Sequence, residues 1–81
     1  MGMTIEQCRA ARALLGWSAS ELSDAAKLGI ATVKRFESGQ PVQDASVATL
    51  QASLDLAGIE FVDAGAVSRK GGAGVRLKDG G

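Results

Sequence analysis

Histidine and tyrosine are absent from this chain, cysteine and proline occur once each, and the aromatic residues are Trp17, Phe36 and Phe61 alone. With no imidazole and a single thiol, Cys8, there are too few ligands for a structural zinc site and no internal disulfide. That usage suits a reducing compartment, so a cytoplasmic protein is expected. Cys8 itself reads as a small hydrophobe filling a core. Catalysis also lacks its parts: there is no general base of the usual kind, no nucleophile paired with one, and no phosphate loop. The glycines near Gly71 lack the lysine and the strand-to-helix setting of a nucleotide site. No enzyme activity, metal or other cofactor is implied. No apolar run approaches the ~20 residues that span a bilayer. The first residues carry no basic segment followed by an apolar core, and Glu6 stands where a myristoylation signal after Gly2 wants Ser or Thr, so no membrane partner is expected.

Charge of one sign is missing too. Nine cations balance nine acids, for a net charge of zero and a pI near 6.1. Residues 1–58 hold five cations (Arg9, Arg12, Lys27, Lys34, Arg35) against six acids (Glu6, Glu21, Asp24, Glu37, Asp44, Asp55). Affinity for nucleic acid comes mainly from cations that neutralise phosphates. Any such contact here must rest on local placement, and Lys27, Lys34 and Arg35 fall close together.

What remains is 81 residues with 46% hydrophobic content, mostly Ala, Leu, Val and Ile, which is one small domain of close-packed short helices. Residues 1–3 are expected to be loose. Thr4 with Gln7 has the spacing of a capping box, and Ile5, Cys8, Ala11 and Leu15 then recur at helical spacing until Gly16 ends the first helix. Ser18 with Glu21 repeats the device and opens a second helix to about Lys27, with Leu22, Ala25 and Ala26 inward. Trp17, just before that cap, packs across the junction. Leu28 is the apolar residue of the turn, and Gly29 caps a third helix, Ile30 to Glu37, with Val33 and Phe36 inward. Its outer side offers Ile30, Ala31, Thr32, Lys34 and Arg35, and Gly39 followed by Pro41 terminates it. Asp44 or Ser46 can cap a fourth helix with Val47, Leu50, Leu54 and Ala57 inside, closed by Gly58. Beyond it, alternation around Ile59 to Val62 and again in Val75 to Lys78 predicts two short strands joined by the glycine-rich stretch 64–74, with a flexible end. The expected fold class is therefore mainly α: a compact bundle of about four helices over residues 1–58, then a short C-terminal β-strand pair in an extension over 59–81.

The stretch Ser18 to Gly39 resembles the helix-turn-helix of the phage-repressor family (Cro and lambda repressor, or xenobiotic-response-element type), through Leu22, Ala26, Leu28, Val33, Phe36, Glu37 and Gly39. The resemblance covers residues 4–58. It implies a transcriptional regulator that binds double-stranded DNA with the third helix in the major groove. It also implies that Arg12 and Glu37 form a structural pair between the first and third helices. On that footing Arg35 would pair with guanine, Thr32 and Ala31 would meet thymine methyls, and Lys34 would serve a phosphate, with Lys27 at the turn. Ser18 and Ser20, at the start of the second helix, would hold another phosphate.

Two departures matter. Lys27 occupies the turn position where many members have glycine. Ile30 and Ala31 stand where relatives often carry polar readers, and they leave a second expectation open: a protein partner, such as a transcription activator held out of action. The strands, marginal alone, are expected either to pack on the helices through Phe61 and Leu77 or to pair with a second chain as a homodimer suited to a palindromic site.

Overall fold

The computed structural model describes residues 2–62 and 74–78. Its elements run in the order α1 (Ile5–Leu15), α2 (Ala19–Ala26), α3 (Ile30–Glu37), α4 (Asp44–Leu56), β1 (Ile59–Val62) and β2 (Gly74–Leu77). Both capping boxes form. Thr4 Oγ1 accepts from the Gln7 amide at 3.0 Å while Gln7 Oε1 accepts from the Thr4 amide at 2.9 Å. Ser18 and Glu21 do the same at 3.1 and 2.9 Å.

The first three helices stop in one way. A left-handed residue (Gly16, Lys27 or Gly39) donates three residues back, and its successor donates five residues back, which satisfies two carbonyls that the helix end leaves open. Two of the three stops use glycine. Lys27 adopts the same conformation with a side chain attached, at φ 56°, where a β-carbon crowds the backbone.

The core is made of Met3, Cys8, Ala11, Leu22, Ala26, Val33, Phe36, Leu50, Leu54 and Ile59. Trp17, Leu28, Val47 and Phe61 pack around it, half-buried. Three expectations for residues 1–58 need correction. Met3 is buried, not loose, because the chain before α1 runs back beside Phe36 and Val47. On α2 the buried neighbour of Leu22 and Ala26 is Ser23, while Ala25 is exposed. The helix is turned toward its Ser23 side where it sits against both α3 and α4, and the Ser23 hydroxyl donates to the Ser20 carbonyl at 2.8 Å, so it leaves no unsatisfied donor in the interior. Neither Asp44 nor Ser46 caps α4. The N-cap is Gln43, which makes no side-chain capping bond, and Asp44 is already the first helical residue.

The strands pair with each other in the one chain, antiparallel, with Ile59 opposite Leu77 and Phe61 opposite Val75. The ribbon lies against α1 and α4. Ile59 is fully buried, but Leu77, expected to pack inward, is 52% exposed at the ribbon's end. Gln7, buried, ties the ribbon down: its Nε2 donates to the Gly74 carbonyl at 2.9 Å and the Val62 carbonyl at 3.3 Å. Most of the glycine-rich stretch and the chain end expected to be flexible lie outside the described residues. No helix among the described residues is long and apolar enough to cross a membrane.

Candidate nucleic-acid interface

The position of α3 is set from behind. Val33 and Phe36 anchor it in the core, and Glu37, its last residue, is clamped to α1. Arg12 meets the Glu37 carboxylate with two parallel bonds, Nε to Oε2 at 2.9 Å and Nη2 to Oε1 at 2.6 Å, while its Nη1 donates to the Trp17 carbonyl at 3.0 Å. The Cys8 thiol donates to Glu37 Oε2 at 3.2 Å. This is the pairing the resemblance implied. Burial opposes the charge on Glu37, but the bonds from Arg12 and Cys8 outweigh it and hold the carboxyl below the usual carboxylate range. Burial first, and then the bond to Glu37, push the Cys8 thiol up to about 12. The group works as a strut: one guanidinium fixes the ends of α1 and α3 and the entry to α2.

Seen from solvent, α3 presents Ile30, Ala31, Lys34 and Arg35 as exposed residues and Thr32 as half-buried. Ile30 is 41% exposed. Among the described residues Lys27, Lys34 and Arg35 have no acidic partner, so their charge is not spent inside the fold. Lys27 stands exposed at the turn where its left-handed backbone swings the chain from α2 into α3.

Thr32 and Arg35 are brought together on the wall of a cleft of about 460 Å³, whose other wall is Pro41, Val42, Gln43 and Ser46. Sequence reasoning missed that second wall. Its signal was Pro41, which keeps the chain from continuing α3, together with the absence of a capping side chain at Gln43, which leaves the first amides of α4 without a side-chain partner. A guanidinium, two hydroxyls and a carboxamide thus line one polar recess beside α3.

Ser18 and Ser20 stand apart at the start of α2. Both are exposed, but Ser18 is occupied as a cap, and the Glu21 carboxylate already takes the Ser18 amide. An acid at that helix start fills the place that a phosphate would take, which makes these two the weakest members of the expected set.

No protein-family model matches the chain, and a search of curated proteins finds no relative.

Proposed function

We propose that this protein is a small cytoplasmic transcriptional regulator that binds operator DNA as a dimer, with α3 in the major groove. The observation that carries the reading is the division of α3. Its inner residues Val33, Phe36 and Glu37 are locked to the bundle, while Thr32, Lys34 and Arg35 face outward with cations that no described acid neutralises. A rigid helix with unpaired donors on its free side has the form of a groove reader, and the resemblance of residues 4–58 to phage repressors supports the same reading.

In it Arg35 offers a fork for the two acceptors of a guanine, a contact worth about 1–3 kcal/mol of discrimination. Thr32 and Ala31 offer methyls to thymine, and Lys34 and Lys27 serve phosphates. Two such phosphate contacts per chain give a dimer a log–log salt slope of about −4. The cleft next to Arg35 adds Gln43 and Ser46 as donors for the backbone flanking the groove.

One observation favours a second reading. Ile30 and Ala31 make the front of α3 apolar and exposed, and an exposed apolar spot fits a protein surface better than a base edge. On that reading α3 holds a partner, such as a transcription activator, away from its work.

The test is a titration with the DNA upstream of the protein's own gene at two salt concentrations, comparing wild type with Arg35→Ala. Tight binding with a steep salt slope, lost in Arg35→Ala, is expected. Affinity unchanged by Arg35→Ala overturns the assignment of the reading helix. No binding at low salt, with an activator recovered on the wild-type protein and lost with Ile30→Asp, favours the second reading.

A further inference from the structure

The free side of α3 is apolar at its front and centre, where a reader of polar base edges would carry amides. Val33 and Phe36 face the core, and by the helical period Ala31 then stands at the middle of the outward side, with Lys34 and Arg35 on its two flanks. Ile30, 41% exposed, and the half-buried Thr32 mark the edges of that side. No Asn or Gln stands on α3, and its one acid, Glu37, is bound to Arg12. The helix therefore has no side chain to pair with N6 and N7 of adenine and no free carboxylate to accept from N4 of cytosine.

Gly29, just ahead of this side, is not required by the fold. Its φ of −67° is open to any residue, a β-carbon there meets nothing within 4 Å, and Ser, Thr or Asp would cap α3 better. Close approach of the backbone to a ligand is a use of glycine that such a place allows. Without a side chain at the cap, Ile30 and Ala31 are the foremost groups of the helix. The major groove offers such a front one apolar group, the methyl on C5 of thymine. 5-Methylcytosine carries the same methyl at the same ring position.

We propose that α3 reads the C5 methyl itself, on a pyrimidine beside a guanine, so that thymine and 5-methylcytosine serve alike while uracil and cytosine do not. This rests on the DNA reading above and narrows its ligand from a base to a methyl group. Ala31 meets the methyl with its own, and has no polar atom to tell O4 of thymine from N4 of 5-methylcytosine. The Thr32 hydroxyl does not separate them either, since it can donate to the first or accept from the second. Arg35, one helical turn after Ala31 on the same side, spans the acceptors of the adjacent guanine. Ile30 adds apolar area around the methyl, and so its exposure is used on DNA and not on a protein.

The test titrates the whole chain at low salt against the DNA upstream of its own gene, copied either with thymidine triphosphate or with deoxyuridine triphosphate. Each buried methyl is worth about fourfold in affinity, so with two half-sites the uracil duplex should bind at least about tenfold more weakly than the thymine duplex. At the single position where uracil costs most, 5-methylcytosine paired with guanine should bind within about threefold of thymine, and unmethylated cytosine at least about fourfold more weakly. Lys34→Ala should weaken both copied duplexes and keep their ratio, whereas Ala31→Gly, shown to be folded by circular dichroism, should bring them close to equal. Equal binding of the thymine and uracil duplexes by wild type, a 5-methylcytosine site as weak as cytosine, or a ratio that Ala31→Gly leaves unchanged overturns the inference while the DNA reading stands. Failure of the DNA reading shows differently, as no binding of the thymine duplex at low salt, and takes this inference with it.

Discussion

Replacing Arg12 with methionine tests the strut behind α3. The substitution keeps most of the volume and the aliphatic stem but strands the Glu37 carboxylate, whose side chain is 11% exposed, with only the Cys8 thiol as a donor. Breaking one partner of a fully buried pair costs about 3–5 kcal/mol. The partial exposure here lets water offset some of that, and the lost bond to the Trp17 carbonyl adds roughly 1 kcal/mol back. The net expectation is a loss of about 2–3 kcal/mol, out of a total stability of roughly 4–12 kcal/mol for a chain of this size. In a domain this small that corresponds to a fall in Tm of about 10–20 °C. The double variant Arg12→Met with Glu37→Leu removes both charges, so it should melt well above the single Arg12→Met variant. Urea titration followed by the fluorescence of Trp17, the only tryptophan, and circular dichroism melting give both numbers.

Acid adds a second check on the same pair. Glu37 titrates lower in the folded state than in the unfolded one, so its contribution is fully present above the unfolded value of about 4.3 and is lost as pH falls through the folded value. The stability gap between wild type and Glu37→Gln should therefore close below about pH 4. A Tm change of less than about 4 °C in Arg12→Met, or a double variant no better than the single, would refute the account of a stranded charge.

Three further outcomes follow from local geometry. Lys27→Gly should raise stability by up to about 1 kcal/mol, because relief of left-handed strain exceeds the added freedom of the unfolded chain; Lys27→Ala, which removes the charge but keeps the strain, should be near neutral, and a glycine variant less stable than the alanine one contradicts this. Gln7→Ala should cost about 2 kcal/mol through the lost cap and the two ribbon carbonyls left without their donor; amide exchange should quicken first in β1 and β2, and uniform quickening would argue against a clamp. Cys8, buried with its thiol raised to about 12, should react with iodoacetamide at pH 8 slower than an exposed thiol by a factor on the order of a thousand and recover ordinary reactivity in urea; fast labelling of the folded protein would contradict its burial.

The readable part of this protein was the part built from contacts within a few residues. Helix starts at Thr4 and Ser18 were legible because a capping box closes over three residues, and the ends at Gly16 and Gly39 because a left-handed stop uses carbonyls of its own last turn. The inward positions Leu22, Val33, Phe36, Leu50 and Leu54 were legible because a 3.6-residue period needs no partner to be seen. Choices between equal local options were not. Ala25 and Ser23 flank the same stripe on α2, and only the helices packed against it selected the serine. Gln7 advertised its cap and gave no sign of the second use of its amide, 55 and 67 residues away. Lys27 broke the glycine pattern, and only the backbone showed that it takes the strained conformation. The polar cleft of Thr32 and Arg35 needed the start of α4 folded beside α3, and the pairing of the strands within one chain needed the ribbon to find α1 and α4. The sequence by itself determined where α1 and α2 begin, where α1 and α3 stop and where the main apolar stripes run, since hydrogen bonds and periodicity over one turn are local; the start of α4, with no capping side chain, and the exact inward side of α2 were not legible. Tertiary structure decided which residues of α3 are held, which are free, and which face of α4 is left bare, since those depend on contacts between residues far apart in the chain.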